Sequence, residues 1–218
     1  TIFGLTYFAG GYMSFLAFTI VMAKWLAKQG YLKEAINTEH YHDLGKLLFA
    51  FMVFWTYTNF SQYMLIWYAN LPEETRWFAE RAKDGWLSIG TILIFGHFLF
   101  PFAFLMSRHI KRNGYTLGFG AAFLLVIHWV DMQFLVMPNA AGGHGEGAEH
   151  AVDHTTAHAA TFSENLGQWM HTVQWTDVAT YLGMICLVGA VALINVCKHN
   201  LVPVRDPRLS EALNFQNM

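Results

Sequence analysis

Residues 85–107 read GWLSIGTILIFGHFLFPFAFLMS, a run of 23 residues without Asp, Glu, Lys or Arg. The hydrocarbon core of a bilayer is about 30 Å thick, and a helix of about 20 apolar residues crosses it. Four further charge-free runs bring the total to half of the 218 residues. This pattern predicts an all-α, polytopic transmembrane helix bundle with five spans, over about 2–23, 47–69, 86–106, 116–137 and 175–196.

The composition excludes several classes of protein. Hydrophobic residues make up 55% of the chain and charged residues 13%, against about 25% charged in a typical soluble domain. Such a chain is too apolar to be disordered. The net charge of −2 and the lack of a basic stripe argue against nucleic-acid binding. Two cysteines are too few for a disulfide-stapled secreted domain.

The loops differ in their basic residues, which predicts the orientation. Ten Lys and Arg fall in the first and third loops and the tail, whereas three fall in the second loop and none in the fourth. Basic loops stay on the cytoplasmic side. We therefore expect 201–218 to be a cytoplasmic tail and the His/Gly-rich segment 138–172 to be an external loop. Because the chain starts with Thr1 directly before a span, we also expect it to be the C-terminal part of a larger subunit.

Two features predict how the helices pack. Thr6, Gly10 and Ser14 repeat at four-residue spacing in the first span, and small residues at this spacing let helices approach closely in lipid. Pro101 lies inside the third span, where its missing N–H predicts a kink.

Polar groups within the apolar spans are the first candidates for function, because ionisable groups are costly inside a membrane. His128 and Asp131 are three residues apart and share a helix face. At about 1.5 Å per residue they lie roughly 14 and 9 Å below the outer end of the fourth span, and His97 lies roughly 18 Å deep. Asp177 opens the fifth span near the same layer. The second span adds a polar stripe formed by Thr56, Asn59, Gln62 and Tyr63.

Three interpretations of this outer layer remain open. The groups could form a proton relay, or line a cavity for a polar head such as a quinol ring. They could equally be a hydrogen-bond network that fixes the helix register. His97 and His128 also lie at similar depth, as bis-His haem ligation requires, although a b-type cytochrome usually has several such pairs.

The inner edge carries a second group, His42, Asp43 and Lys46, just before the second span. It could be the mouth of a proton path. Asp43 near a helix start could equally serve the helix dipole.

The segment 138–172 has His150, His154 and His158 at four-residue spacing. One helical face could then bind a divalent metal. A weakly acidic external loop that contacts partner proteins is the interpretation we prefer, so we assign no metal site, and no catalytic residue, to this chain.

Three stretches resemble a known family. They are HYHDLGKLLFAFMVFWTYTNFSQYMLIWYANLPEET at 40–75, HWVDMQFLVMP at 128–138 and VRDPRLSEALNF at 204–215. They are similar to the membrane F subunit of bacterial alternative complex III, a quinol:electron acceptor oxidoreductase, which is related to polysulfide-reductase-type membrane subunits. The likeness extends over nearly the whole chain, and the family subunit has about ten transmembrane helices. It therefore implies that this chain is the C-terminal half of one.

The resemblance implies a multi-pass subunit of the bacterial cell membrane. Its partners would be other membrane subunits, a multihaem cytochrome c subunit and an iron–sulfur subunit. Haem c, iron–sulfur clusters and quinol would belong to the complex, and this chain would bind no cofactor, in agreement with its lack of a CxxCH motif or Cys cluster. The family role is a proton half-channel or a second quinone-like pocket. A purely structural scaffold is the alternative. The expected pathway or cavity residues are Asp131, His128, Asp177, His97, Gln62, Asn59, Tyr63, His42, Asp43 and Lys46.

Overall fold

A computed structural model describes residues 2–31, 35–82, 86–142, 175–198 and 207–213. Every regular element in these ranges is helical, which confirms the all-α prediction. The long helices are α1 (Phe3–Lys28), α2 (Thr38–Ala69), α4 (Trp86–Met106), α6 (Gly114–Gly142) and α7 (Trp175–Lys198). The short helices are α3 (Pro72–Arg81), α5 (Arg108–Arg112) and α8 (Leu209–Leu213).

Four stretches are long and apolar enough to cross a membrane, namely Phe3–Lys28, Trp86–Met106, Gly114–Met137 and Trp175–Lys198. The protein is therefore a multi-pass membrane protein. The remaining predicted span, 47–69, lies inside α2, which is 32 residues long but less apolar than the other four helices. The polar stripe along its second half accounts for that difference.

Local chemistry defines both ends of α2. The backbone N–H of Asn37 donates to Nδ1 of His40, 3.1 Å away, which satisfies a donor at the start of the helix. At the other end Asn70 adopts a left-handed conformation with φ of 48°, which asparagine tolerates better than most residues. Pro72 follows two residues later, so the chain turns there and begins α3.

The core lies among α1, α2, α4 and α6. The buried face of α1 includes Thr6 and Gly10, two members of the predicted small-residue stripe, while Ser14 is half-buried. Fully buried side chains from all four helices meet beneath this face: Met13 and Ile20 of α1, Leu48 and Met52 of α2, Ile89 and Leu105 of α4, and Leu117 and Leu124 of α6.

Helix α7 differs from the other long helices because it has no buried residue. Its aromatic contact with the bundle joins Tyr181 to Trp129 of α6, with ring centroids 5.9 Å apart. An apolar helix with so exposed a surface is suited to contact lipid or another membrane-embedded chain.

The helix α6 extends beyond residue 138, the predicted start of the external loop. It continues through Pro138 to Gly142. Proline lacks the N–H that would donate to the carbonyl of Phe134. The Nε of Arg81 donates to that carbonyl at 3.1 Å, and its Nη2 donates to the carbonyl of Leu135 at 2.7 Å. The guanidinium thus supplies donors at the place where the helix needs them.

Candidate functional site

Three titratable side chains meet between α4 and α6. One ring nitrogen each of His97 and His128 and one carboxylate oxygen of Asp131 lie within 4.8 Å of one another. We call these three residues the outer cluster. Residue spacing predicts similar depths for all three, and the structure brings them together.

The outer cluster is buried. His97 has no exposed surface, and Asp131 is 7% exposed. Nδ1 of His128 lies 3.4 Å from Oδ2 of Asp131, the geometry that their three-residue spacing on one helix permits. Among the described residues, neither ring nitrogen of His97 has a hydrogen-bond partner, and Nδ1 of His128 has none within standard hydrogen-bond geometry. Buried polar atoms are nearly always paired, so these nitrogens are candidates to bind a proton, a water molecule or a polar ligand.

The backbone at His97 is also unusual. Residues Ile94–Leu99 form a π-helix inside α4, and the N–H of Phe100 donates to the carbonyl of Phe95, five residues back. Pro101 follows immediately; its ring would collide with the carbonyl of His97 in a regular α-helix, and its nitrogen cannot donate to it. Widening the turn relieves this conflict. The predicted distortion at Pro101 therefore takes the form of a π-bulge, a feature often found at functional sites.

Two residues of neighbouring helices enclose the cluster. Trp55 of α2 stacks on His97, with ring centroids 3.7 Å apart. Gly10 of α1 lies against the ring of His128: a Cβ added at Gly10 would be 2.6 Å from Cε1 of His128. Gly10 belongs to the small-residue stripe, so its close packing could be anticipated, whereas its neighbour His128 could not. Trp55 is the ring that covers His97.

The polar stripe of α2 lies farther along the same helix. The amide of Asn59 donates to the carbonyl of Trp55 at 3.1 Å, and the ring of Tyr63 contacts Phe78 of α3 at 5.3 Å. Gln62 is half-buried. Across the described ranges, no hydrogen bond or ring contact joins Asn59, Gln62 or Tyr63 directly to the outer cluster. Trp55, one turn from Asn59, contacts the cluster through the ring of His97.

Asp177 lies in the first turn of α7. It shares a helix face with Tyr181, four residues on, and Tyr181 contacts Trp129, the neighbour of His128 in sequence. The face of α7 that carries Asp177 is therefore turned toward the part of α6 that carries the outer cluster.

The structure also brings together residues of the group predicted at the inner edge, and it adds others that the sequence did not indicate. Nζ of Lys46 lies 2.9 Å from Oδ1 of Asp43, which joins two of the predicted residues. Glu39 forms an ion pair with Arg112 of α5. His42 is buried, and within the described ranges its Nδ1 has no hydrogen-bond partner. Burial lowers the pKa of His42, and the positive charges of Lys46, Lys111 and Arg108 lower it further, while Glu39 opposes them.

Two predictions lie outside the described residues. The first is the metal-binding alternative at His150, His154 and His158. The second is most of the external loop, from residue 143 onward. Of the predicted tail 201–218, the structure describes 207–213, where the carbonyl of Leu213 accepts a 2.7 Å hydrogen bond from the side chain of Asn37.

No family model and no curated protein matches this chain. The resemblance to alternative complex III consequently stays a prediction from the sequence.

Proposed function

We propose that this chain is a membrane subunit of a bacterial respiratory quinol:electron acceptor oxidoreductase, and that His97, His128 and Asp131 form the outer part of its proton pathway or line a quinone-associated cavity. The assignment to such a complex is supported by the three similar stretches of sequence, and one structural observation carries the role of the residues. Among the described residues, three protonatable side chains from two helices converge within 4.8 Å inside an apolar bundle, and ring nitrogens of His97 and His128 have no hydrogen-bond partner there. Ionisable groups at membrane depth are costly and typically mark ion or proton pathways.

The chemistry of the three groups suits proton transfer. Imidazole can accept a proton at one nitrogen and release one from the other, and a carboxylate can accept or release a proton. The 3.4 Å separation between His128 and Asp131 is within reach of a proton after a small adjustment of either side chain. The ring nitrogens of His97 would add further proton acceptors to the His128–Asp131 pair.

In this proposal the electrons do not pass through the chain. Oxidation of one quinol in a neighbouring membrane subunit releases two electrons and two protons. The electrons would go to iron–sulfur and multihaem cytochrome c subunits, and the outer cluster would pass protons toward the outer surface. The inner mouth of the path would be formed by His42, Asp43 and Lys46. There, Nδ1 of His42 is buried and has no hydrogen-bond partner among the described residues.

A structural scaffold for the electron-carrying subunits is the second candidate function. The complete burial of His97 and its stacking on Trp55 favour it, because both would fix helix register without any proton moving. The two functions differ in what the imidazoles contribute: a scaffold needs their shape, and a relay needs their nitrogens.

Two single substitutions in the intact complex, His97→Phe and His128→Gln, distinguish the relay from the scaffold. Phenylalanine preserves an aromatic ring against Trp55 but has no nitrogen. A relay predicts assembled complexes with reduced quinol oxidation and reduced proton release, while His109→Gln, a change at an exposed position of α5, leaves both unaltered. Assembled His97→Phe and His128→Gln complexes with full turnover and full proton release would leave the scaffold as the function.

A further inference from the structure

Four basic residues gather at the inner edge of the bundle, where α5 meets the start of α2. They are Lys46, Arg108, Lys111 and Arg112, which we call the basic cluster. Lys46 immediately precedes the predicted span 47–69, and Arg108 is the second residue after the end of α4. The basic cluster therefore lies at the boundary between the membrane and the cytoplasmic side predicted from the loop charges.

The basic cluster has more positive than negative charge. Glu39 pairs with Arg112, and Asp43 pairs with Lys46. In the part of the chain that the structure describes, neither Lys111 nor Arg108 is paired with a carboxylate. Among the described residues, two positive charges are thus left for a bound anion to balance.

Lys111 is held in place along its stem. Its Cγ would be 3.0 Å from a Cβ added at Gly45, so the absence of a side chain there lets the lysine lie across α2. Its Nζ lies 5.4 Å from the ring centroid of Phe49. Burial lowers the pKa of Lys111, as does the like charge of Lys46. An anion bound beside Lys111 would offset both effects, because it favours the charged form of the lysine.

An apolar surface lies beside these charges, on the membrane side. Phe49 of α2 and Phe102 of α4 form a ring contact with centroids 5.4 Å apart, and both are half-buried. Leu47 is 46% exposed and Met106 is 64% exposed. Positive charge at the membrane edge next to exposed hydrocarbon fits a molecule that is anionic at one end and apolar at the other.

We propose that the basic cluster binds the phosphate of an anionic phospholipid, whose acyl chains lie along Phe49 and Phe102. Basic pockets between transmembrane helices on the cytoplasmic side bind lipid head groups of this kind. The basic cluster shares Lys46 with the proposed proton pathway, but the proposal is carried by Lys111 and Arg108, which have no part in that pathway, and its test changes none of the pathway residues.

The test uses the protein purified with its accompanying subunits, stripped of lipid and titrated with phosphatidylglycerol or phosphatidylcholine while native mass spectrometry counts bound lipids. We expect saturable binding of phosphatidylglycerol that exceeds binding of phosphatidylcholine. Lys111→Gln should weaken it by about fivefold, since one basic residue near the membrane surface contributes about that factor. Gly45→Ala should weaken it without changing the charge, because the added methyl group displaces the lysine stem.

Lys28→Gln is the matched control, since it removes one lysine from the exposed end of α1 on the same predicted side. It should leave binding unchanged, and Lys111→Arg should retain it. If Lys111→Gln does not fold, the comparison of Arg108→Gln with Lys28→Gln serves in its place.

Three results would overturn the proposal. One is equal binding of phosphatidylcholine and phosphatidylglycerol. Another is full competition by inorganic phosphate, which would make the ligand a soluble anion. The third is a Lys111→Gln protein that binds as many lipids as the unaltered protein but no longer co-purifies with an acidic subunit. The ligand of the basic cluster would then be a protein.

Discussion

The imidazole of His97 stacks on the indole of Trp55, with ring centroids 3.7 Å apart and ring planes inclined by 31°. The contact joins α2 to the π-helical part of α4. It covers a histidine that has no exposed surface and whose two ring nitrogens have no hydrogen-bond partner among the residues that the structure describes. The ring of Trp55 therefore covers the outer cluster on the side of α2, and removing this ring should expose the imidazole of His97.

The protection of His97 by Trp55 can be measured with diethyl pyrocarbonate, which modifies accessible imidazoles. In the unaltered protein we expect His97 to be unmodified while His109, which is exposed, reacts. Trp55→Ala should make His97 reactive because it removes the covering ring, and Trp55→Phe should keep it protected. Peptide mass spectrometry gives the extent of modification at each histidine. Equal modification of His97 in Trp55→Ala and Trp55→Phe would show that Trp55 does not cover it.

Gly10 provides a test of the packing around His128. A methyl group at Gly10 would be 2.6 Å from Cε1 of His128, whereas one at Gly11 would meet nothing within 4 Å. Gly10→Ala should lower the free energy of unfolding by about 1–3 kcal/mol, the usual effect of overpacking a core. Gly11→Ala should leave it unchanged or raise it, because alanine favours helix more than glycine. Thermal unfolding in detergent measures both variants, and equal stability would contradict the close contact.

The fold followed from the sequence because its determinants are local. Charge-free runs set the helices, and the positions of Asn70 and Pro72 explain where α2 ends. The residues of the outer cluster were also predictable, since His128 and Asp131 share a face of one helix and a depth count along another helix brings His97 to a similar level.

What could not be predicted depends on side-chain packing between helices. Residue spacing gives the depth of Trp55 but not the ring that it touches. The π-bulge had a usable signal, because Pro101 comes four residues after His97 and denies its carbonyl a donor. Pro138 likewise indicated that the carbonyl of Phe134 would lack its helical donor. Nothing in the sequence indicated that Arg81 of α3 would supply the missing donor.

Arg81 should contribute strongly to stability. It is 2% exposed, donates to the carbonyls of Phe134 and Leu135, and lies over the ring of Trp77, 3.5 Å from its centroid. Arg81→Gln should lower the free energy of unfolding by about 1.5–3 kcal/mol, because hydrogen bonds from a charged donor are lost and the part-buried carbonyl of Phe134 loses the donor that Pro138 cannot supply.

The control for this prediction is Arg76→Gln on the same helix, at an exposed position. It should change the stability by about 0.5 kcal/mol or less. Thermal unfolding of both variants in the same detergent gives the difference, and a smaller effect at Arg81 than at Arg76 would refute the assigned role.

His42 should make stability depend on pH. Its ordinary pKa of 6.5 is lowered in the folded protein by burial and by Lys46, Lys111 and Arg108, against the opposing charge of Glu39. As the pH falls through 6.5, the unfolded chain gains a proton that the folded protein does not yet bind, so stability decreases in acid. Above the ordinary pKa both states are neutral at His42 and its contribution disappears.

Unfolding temperatures of the unaltered protein and His42→Gln, measured between about pH 5 and pH 8, test this sign. The acid-induced loss should be smaller in His42→Gln and unchanged in His109→Gln. A loss of equal size in His42→Gln would mean that other groups cause it.

Asp131→Asn in the intact complex tests the central claim most directly, because asparagine keeps the size of the side chain but cannot carry a proton through the path. Quinol oxidation and proton release are measured together, with the exposed Glu73→Gln of α3 as the matched control. The proposed pathway predicts an assembled complex in which Asp131→Asn lowers both rates by at least about tenfold while Glu73→Gln changes neither. An assembled Asp131→Asn complex with unchanged turnover and unchanged proton release would contradict it.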